Sequence, residues 1–162
     1  MTITATEEGR RQRPGPILVV EDSDEDYEAF VRALRKLPGA YVVERCYDGD
    51  DCLDYLEHTG AYAQTKPARP RLILLDLNLP GTDGREVLDR LDQDPALRTI
   101  PVTVLTTSTN PMDVQFCYRK GANSYTTKSQ DWRRYEAMVR TLMDYWFATV
   151  ILPEETETGL LP

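Results

Sequence analysis

The sequence of 162 residues is poor in the residues that build metal knots, disulfide frameworks and hydrolytic triads. His58 is its only histidine, which argues against a histidine-based zinc site and against a Ser-His-Asp triad. The three cysteines, Cys46, Cys52 and Cys117, are odd in number and scattered along the chain. This cysteine usage is typical of a reducing compartment and predicts a cytoplasmic protein.

Other missing features exclude further classes of partner. No apolar stretch reaches the length of a membrane span, and the first 16 residues lack the apolar core of a secretory signal. Acidic residues outnumber basic ones by 27 to 19, and the net charge of −8 argues against nucleic acid or an anionic membrane as partner. No Gly-rich phosphate loop follows a predicted strand, which disfavours a nucleotide-binding protein.

What the sequence does contain is a regular alternation of short apolar runs and helical patterns. The predicted strands lie at 17–20, 72–75 and 102–105, with weaker candidates at 41–45 and 122–126. The helical patterns lie between and after them, at 24–37, 49–58, 84–92, 111–120 and 132–148. Five such repeats predict a doubly wound α/β fold, a (βα)5 sandwich with a central five-stranded parallel sheet.

Polar residues follow four of these strands at the edge where doubly wound sheets bind their ligands. They are Glu21, Asp22, Asp76, Thr106, Thr107 and Lys128. Two carboxylates about 4 Å apart repel by roughly 4 kcal/mol at an effective dielectric constant near 20. Three acids at one edge therefore need a cation, and oxygen ligands with room for water suit Mg²⁺. The alternative is that these acids are solvated loop residues.

The next three acids, Asp24, Glu25 and Asp26, have a simpler explanation. Ser23 is a good N-cap, and Asp26 is placed to complete a contact like that of a capping box. We therefore assign these three acids to a first helical turn, where negative charge complements the helix dipole.

Four motifs, in order along the chain, resemble the receiver domain of bacterial two-component response regulators. They are VVEDSDED, LLDLNLPGTDG, VLTTS and SYTTKS, and the resemblance spans about residues 15–147. It implies a flavodoxin-like strand order of 2-1-3-4-5. We expect a flexible leader at 1–14, a receiver domain at 15–152 and a flexible tail at 153–162. We expect no output domain, because only a short remainder follows the last helix.

The resemblance also implies a phosphoacceptor and its metal ligands. Asp76 would be the nucleophile that accepts the phosphoryl group. Asp22 and Asp76 would hold Mg²⁺ through their carboxylates, Asn78 through its backbone carbonyl, and Glu21 through a metal-bound water. The protein would then be a switch with slow self-dephosphorylation at most, and not an enzyme.

Further roles follow for the residues after the fourth and fifth strands. Lys128 would pair with the phosphoryl oxygens, the Thr106 hydroxyl would bind the phosphoryl group, and the Thr107 N–H would assist. Tyr125 would rotate inward when Thr106 moves; the alternative is a static, half-buried tyrosine. Relatives usually place a proline after the lysine, often through a cis bond, and Ser129 at that position leaves the loop geometry open.

The end of the last helix has no polar side, since it reads YWFATVIL. Apolar surface of this kind is typical of an interface, and we predict a homodimer through the fourth helix, fifth strand and fifth helix. The predicted interface residues are Phe116, Tyr145, Trp146 and Phe147. The alternative is packing within one chain against the leader.

The segments LTTS and TTKS, with a helix that ends YWF…LP, look most like the single-domain regulators that pair with bacterial phytochrome histidine kinases. A kinase of that kind is the implied partner. Two alternatives stay open: a receiver-like binding module that is never phosphorylated, and an aspartyl-phosphate phosphohydrolase. The latter needs a second acid two residues after the nucleophile, where this chain has Asn78.

Overall fold

The computed structural model describes residues 15–153, and within them five parallel strands form one sheet. The strands are β1 (Ile17–Val20), β2 (Val43–Cys46), β3 (Leu72–Leu75), β4 (Val102–Thr106) and β5 (Ser124–Thr127). Their order across the sheet is β2-β1-β3-β4-β5, all pairs parallel, which confirms the expected topology. The expected leader at 1–14 and the tail beyond 153 lie outside the described residues.

Five helices connect and follow the strands. They are α1 (Asp24–Leu34), α2 (Gly49–Glu57), α3 (Gly84–Gln93), α4 (Pro111–Arg119) and α5 (Trp132–Asp144). A single 3₁₀ turn at Gly60–Tyr62 follows α2, and a π-helical turn at Tyr145–Thr149 continues α5. None of the helices in this part of the chain has the length and apolarity needed to cross a bilayer.

Successive residues along the strands point alternately into two separate hydrophobic clusters, one on each face of the sheet. Leu18 of β1 and Ile73 of β3 point to the face that also buries Val87 of α3 and Cys117 of α4. Their neighbours point to the opposite face, which is covered by α1 and α5. Because successive strand residues face opposite sides, strands that are buried on both faces are apolar throughout.

The predicted helix boundaries are least accurate at the two helices that end near prolines or aromatics. The expected helix at 24–37 ends at Leu34, because Lys36 and Leu37 bond to carbonyls three residues back and Pro38 follows. The expected helix at 132–148 ends at Asp144, where the hydrogen bonds of α5 give way to those of the π-helical turn.

Trp146, in that π-helical turn, corrects one premise of the dimer prediction. Its side chain is buried in the α1/α5 cluster, and its indole Nε1 donates to Thr103 Oγ1 at 3.0 Å. Thr103 Oγ1 also lies 2.8 Å from Ser124 Oγ. A buried indole N–H needs a partner, and this one is satisfied inside the chain, so the expected exposure of Trp146 is wrong. Phe147 also packs internally, edge-on to Tyr41.

Candidate functional site

The carboxyl ends of β1, β3, β4 and β5 bring the predicted polar residues to one edge of the sheet. Val20 pairs with Leu75, so Glu21 and Asp76 are the next residues on adjacent strands. The Asp76 N–H donates to Val20 O at 3.1 Å. On the other side, the Lys128 N–H donates to Thr106 O at 2.8 Å, which extends the β4–β5 pairing to the lysine.

Lys128 is the centre of the site. Its Nζ lies 2.5 Å from Glu21 Oε2, 2.7 Å from Asp76 Oδ2 and 2.7 Å from Asp26 Oδ2. The side chains of Lys128, Glu21 and Asp76 are only 7%, 6% and 9% exposed. An ammonium group has three N–H donors, and all three of them bond to carboxylates here. Three carboxylates and one ammonium leave the cluster with a formal charge of −2.

The pKa values in the cluster reflect burial and pairing. For Glu21, burial raises the pKa above its ordinary value, and the hydrogen bond from Lys128 offsets part of that rise. For Lys128, burial alone would lower the pKa, but the hydrogen bonds to Asp26, Asp76 and Glu21 outweigh burial and raise it. The lysine is therefore firmly protonated, and the charge it supplies compensates only one of the three carboxylates.

Asp26 is the member of the cluster that the sequence analysis missed. The expected N-cap is present, since Ser23 Oγ accepts from the Asp26 N–H at 3.2 Å. The return contact of a capping box is absent, because the Ser23 N–H donates to Glu21 Oε1 instead, at 3.0 Å. The carboxylate of Asp26 is thereby free to reach Lys128. The signal in the sequence was its position: the first turn of a helix that directly follows a strand lies at the carboxyl edge of the sheet.

The loop after β3 holds Asp76 rigidly. Asp76 Oδ1 accepts from the Asn78 N–H at 3.2 Å, and the Gly84 N–H donates to Leu77 O at 3.0 Å. A Cβ added at Gly84 would lie 2.2 Å from Asp76 O, so only glycine allows α3 to begin against the backbone of the acid. Gly81, with φ of +64°, makes a tight turn within the segment LPGTDG.

The remaining predicted ligands lie at the rim of the cluster. Asp22 and Asn78 have exposed side chains, and the backbone carbonyl of Asp22 accepts from Arg45 Nη2 at 3.2 Å. Among residues 15–153, the carboxylates of Glu21, Asp26 and Asp76 are close enough to share one ion, with ligand atoms within 4.8 Å of one another. An all-oxygen cluster with a charge of −2 fits a divalent cation.

The two expected switch residues lie next to the same loop, between β4 and α4. Thr106 is fully buried, and its Oγ1 accepts from the Ser108 N–H at 3.4 Å. The Tyr125 hydroxyl donates to Ser108 O at 3.0 Å. Thr107, which lies between Thr106 and Ser108 in the sequence, has an exposed side chain. Ser108 is not among the residues predicted from the sequence.

The loop after Lys128 needs no cis bond. The Lys128–Ser129 peptide is trans, as are all others within residues 15–153. Ser129 Oγ accepts from the Asp131 N–H at 3.1 Å, and Asp131 in turn caps α5 by accepting from the Arg134 N–H. A serine in place of the usual proline thus leads directly into the last helix.

This edge geometry agrees with the receiver class that the sequence motifs implied, and comparison with known proteins gives the same class. A model of the response regulator receiver domain matches residues 17–140. The chain therefore belongs to the response regulator receiver family.

The individual relatives are named as response regulators. Response regulator Rcp1 of Synechocystis sp. is 41% identical over 140 residues, which cover 86% of this chain and 94% of that protein. The Mn²⁺-bound crystal structure of Rcp1 matches 87% of this chain and 100% of its own, with a TM-score of 0.81 and 41% identity. The phosphorylated cyanobacterial phytochrome response regulator RcpA matches 88% and 100%, with a TM-score of 0.81 and 39% identity.

Proposed function

We propose that this receiver domain works in the cytoplasm as a Mg²⁺-dependent switch that accepts a phosphoryl group on Asp76. The observation that carries the proposal is the convergence of Glu21, Asp26 and Asp76 on the buried Nζ of Lys128. Lys128 Nζ bonds to one carboxylate oxygen of Asp76, and the Asn78 N–H bonds to the other. Both oxygens of the nucleophile are therefore oriented before a donor arrives.

The chemistry is the transfer of a phosphoryl group from its donor to a carboxylate oxygen of Asp76. An oxygen of Asp76 attacks phosphorus, the bond from phosphorus to the donor breaks, and the leaving group keeps that electron pair. Lys128 and the Thr106 hydroxyl bind the phosphoryl oxygens, assisted by the Thr107 N–H. Asp22, Asp76 and the Asn78 carbonyl would hold Mg²⁺, with Glu21 acting through a water, and the ion would supply charge neutralisation.

An aspartyl-phosphate phosphohydrolase fits the site less well. Such an enzyme needs an acid/base group two residues after the nucleophile, and that position is Asn78, whose side chain is an amide and is exposed. An amide side chain is neither an acid nor a base at neutral pH, so Asn78 cannot take that role. The phosphorylated state should therefore persist long enough to act as a signal.

The direct test is intact-protein mass spectrometry after incubation with acetyl phosphate and Mg²⁺. We expect one phosphoryl group per chain, and no labelling when a chelator removes the metal. A wild-type protein that stays unlabelled, and that does not bind beryllium fluoride in the presence of Mg²⁺, would instead identify a binding module that is not regulated by phosphorylation.

Asp26 should contribute to cation affinity through its charge. Asp26→Asn removes one negative charge from the cluster but keeps the side-chain volume, and the side chain is 42% exposed, so the effect is screened. We expect Mg²⁺ to bind about 1–2 kcal/mol more weakly, or roughly five- to thirtyfold, by isothermal titration calorimetry. Asp24→Asn is the control, because Asp24 is 83% exposed and pairs with Arg45 outside the cluster. Equal effects of the two variants would mean that only net charge matters.

The phosphoryl donor in the cell is a histidine kinase of the phytochrome type. The support is the similarity to Rcp1 and to the phytochrome response regulator RcpA over nearly the full length of both proteins. Phosphotransfer from a purified phytochrome kinase, compared with kinases that have other sensor domains, tests this assignment. Faster transfer from a kinase with an unrelated sensor would contradict it.

The protein forms a homodimer through α4, β5 and α5, with Trp146 and Phe147 packed inside each subunit. The exposed apolar residues on α4 and in the π-helical turn after α5 are Met112, Tyr118 and Tyr145, which are 72%, 50% and 49% exposed, whereas Phe116 is half-buried. The double variant Tyr118→Ser/Tyr145→Ser should shift the mass measured by light scattering from dimer to monomer at micromolar concentration. Tyr47→Ser, at an exposed tyrosine next to β2, is the control. A monomeric wild type, with and without phosphorylation, would refute the dimer.

A further inference from the structure

An ion pair between α3 and α4 lies directly behind the β4–α4 loop. Arg85 Nε and Nη2 donate to the two carboxylate oxygens of Asp113, at 2.9 and 2.8 Å. This is the bidentate geometry in which an arginine–carboxylate pair is strongest and most directional. Hydrogen bonds from Arg85 and Ser108 hold the pKa of Asp113 below its ordinary value, so the carboxylate is ionised at neutral pH.

The same carboxylate holds the loop. Asp113 Oδ2 accepts from Ser108 Oγ at 2.6 Å, in addition to the bond from Arg85. Arg85 is itself fixed from behind, because Asp83, the N-cap of α3, accepts from its backbone N–H and from Nη1. A continuous line of charged hydrogen bonds thus runs from the start of α3 through Asp113 to Ser108.

Ser108 is the point where this line meets the switch residues. Its N–H donates to Thr106 Oγ1, and its carbonyl accepts from the Tyr125 hydroxyl. Its own hydroxyl is committed to Asp113. A swing of Thr106 toward Asp76, or a rotation of Tyr125, therefore breaks a bond to Ser108 or draws Ser108 away from Asp113.

We propose that Arg85 and Asp113 are positioning residues that tether Ser108 and so set the cost of moving Thr106 toward a phosphoryl group on Asp76. The inference rests on the proposed function, because it concerns the response of the same site. The contacts exist in a conformation where Thr106 Oγ1 is engaged by Ser108. Removing them lowers the free energy of any conformation in which that bond is broken, relative to this one.

The test is the affinity for beryllium fluoride, a phosphoryl mimic, measured calorimetrically with saturating Mg²⁺. Asp113→Asn should bind the mimic about tenfold more tightly than the wild type, within the usual range of coupling between sites. Asp89→Asn is the matched control, because Asp89 of α3 forms an ion pair with Lys120, just after α4, that does not touch Ser108. We expect this control to bind within about twofold of the wild type.

Two more variants separate tethering from a general loss of stability. Ser108→Ala removes the hydroxyl that donates to Asp113, and it should increase the affinity for the mimic as Asp113→Asn does. Arg85→Lys keeps the charge but loses the bidentate geometry of the guanidinium, so its affinity for beryllium fluoride should lie between those of Arg85→Ala and the wild type. Hydrogen exchange of residues 106–110 should rise in Asp113→Asn and stay unchanged in Asp89→Asn.

If Asp113→Asn and Ser108→Ala bind the mimic as tightly as the wild type or more weakly, the inference is overturned. The contacts would then stabilise the phosphorylated conformation, or both conformations equally. A wild type that takes up neither the mimic nor the phosphoryl group of acetyl phosphate would instead overturn the proposed function. The wild-type measurement therefore distinguishes the two failures.

Discussion

Asp76→Asn should abolish phosphoryl labelling by acetyl phosphate completely, because a carboxamide nitrogen or oxygen is too weak a nucleophile to attack phosphorus at neutral pH. The substitution keeps the shape of the side chain and an oxygen that can accept from Lys128 Nζ or from the Asn78 N–H. It also reduces the formal charge of the cluster from −2 to −1 and should not unfold the protein. Intact-protein mass spectrometry measures the effect directly.

Two controls make the loss specific to Asp76. Asp24→Asn should label like the wild type, since Asp24 pairs with Arg45 and is exposed. The label on the wild type should be removed by hydroxylamine, which cleaves acyl phosphates but leaves phosphoserine and phosphothreonine intact. Labelling that survives in Asp76→Asn would place the nucleophile elsewhere, with the nearby threonines as the first residues to examine.

Lys128→Ala should cost about 3–5 kcal/mol of unfolding free energy in the absence of divalent cations, the range for removing one partner of a buried ion pair. The carboxylates of Glu21 and Asp76, whose side chains are only 6% and 9% exposed, would then have no cation beside them. Urea unfolding followed by far-ultraviolet circular dichroism, with a chelator present, measures the loss. Lys120→Ala removes a lysine whose ion pair with Asp89 is much more exposed, and it should cost only a small fraction as much.

The pH dependence and metal dependence of that loss identify its cause. Burial already raises the pKa of Glu21, and removing Lys128 raises it further. When the pKa of an acid is higher in the folded than in the unfolded state, the protein loses stability as the pH rises above the unfolded-state pKa. The stability deficit of Lys128→Ala should therefore shrink toward acidic pH. Millimolar Mg²⁺ should restore part of the stability, because it replaces the missing positive charge. A deficit unaffected by both would indicate lost packing instead.

The sequence was sufficient to predict the sheet and most of the site, because a parallel sheet brings the carboxyl ends of its strands to one edge. Glu21, Asp76 and Lys128 each directly follow a strand, and their proximity follows from the topology. Backbone register fixes these positions, so no information about individual side-chain contacts was needed. The strand order came from the resemblance to receiver domains and not from periodicity.

The features that were missed depend on side chains that meet across elements. Asp26 could satisfy either a helix N-terminus or the lysine, and local rules favour the first. Arg85 and Asp113 are 28 residues apart on different helices, and no spacing rule pairs them. Trp146 shares a helical face with the buried Val139 and Leu142, but the apolar run YWFATVIL favoured an interface there, and the indole in fact lies beside Thr103.

The position of Trp146 also gives the molecule an intrinsic optical probe. The chain has two tryptophans; Trp132 lies under the cations of Arg32 and Lys36, where its emission is exposed to charge and solvent. Trp146 is buried, and its indole N–H donates to Thr103 of β4, the strand that ends in Thr106. Trp132→Phe would leave a single fluorophore anchored to the switch strand, so that conformational kinetics could be followed by stopped-flow emission without any attached dye.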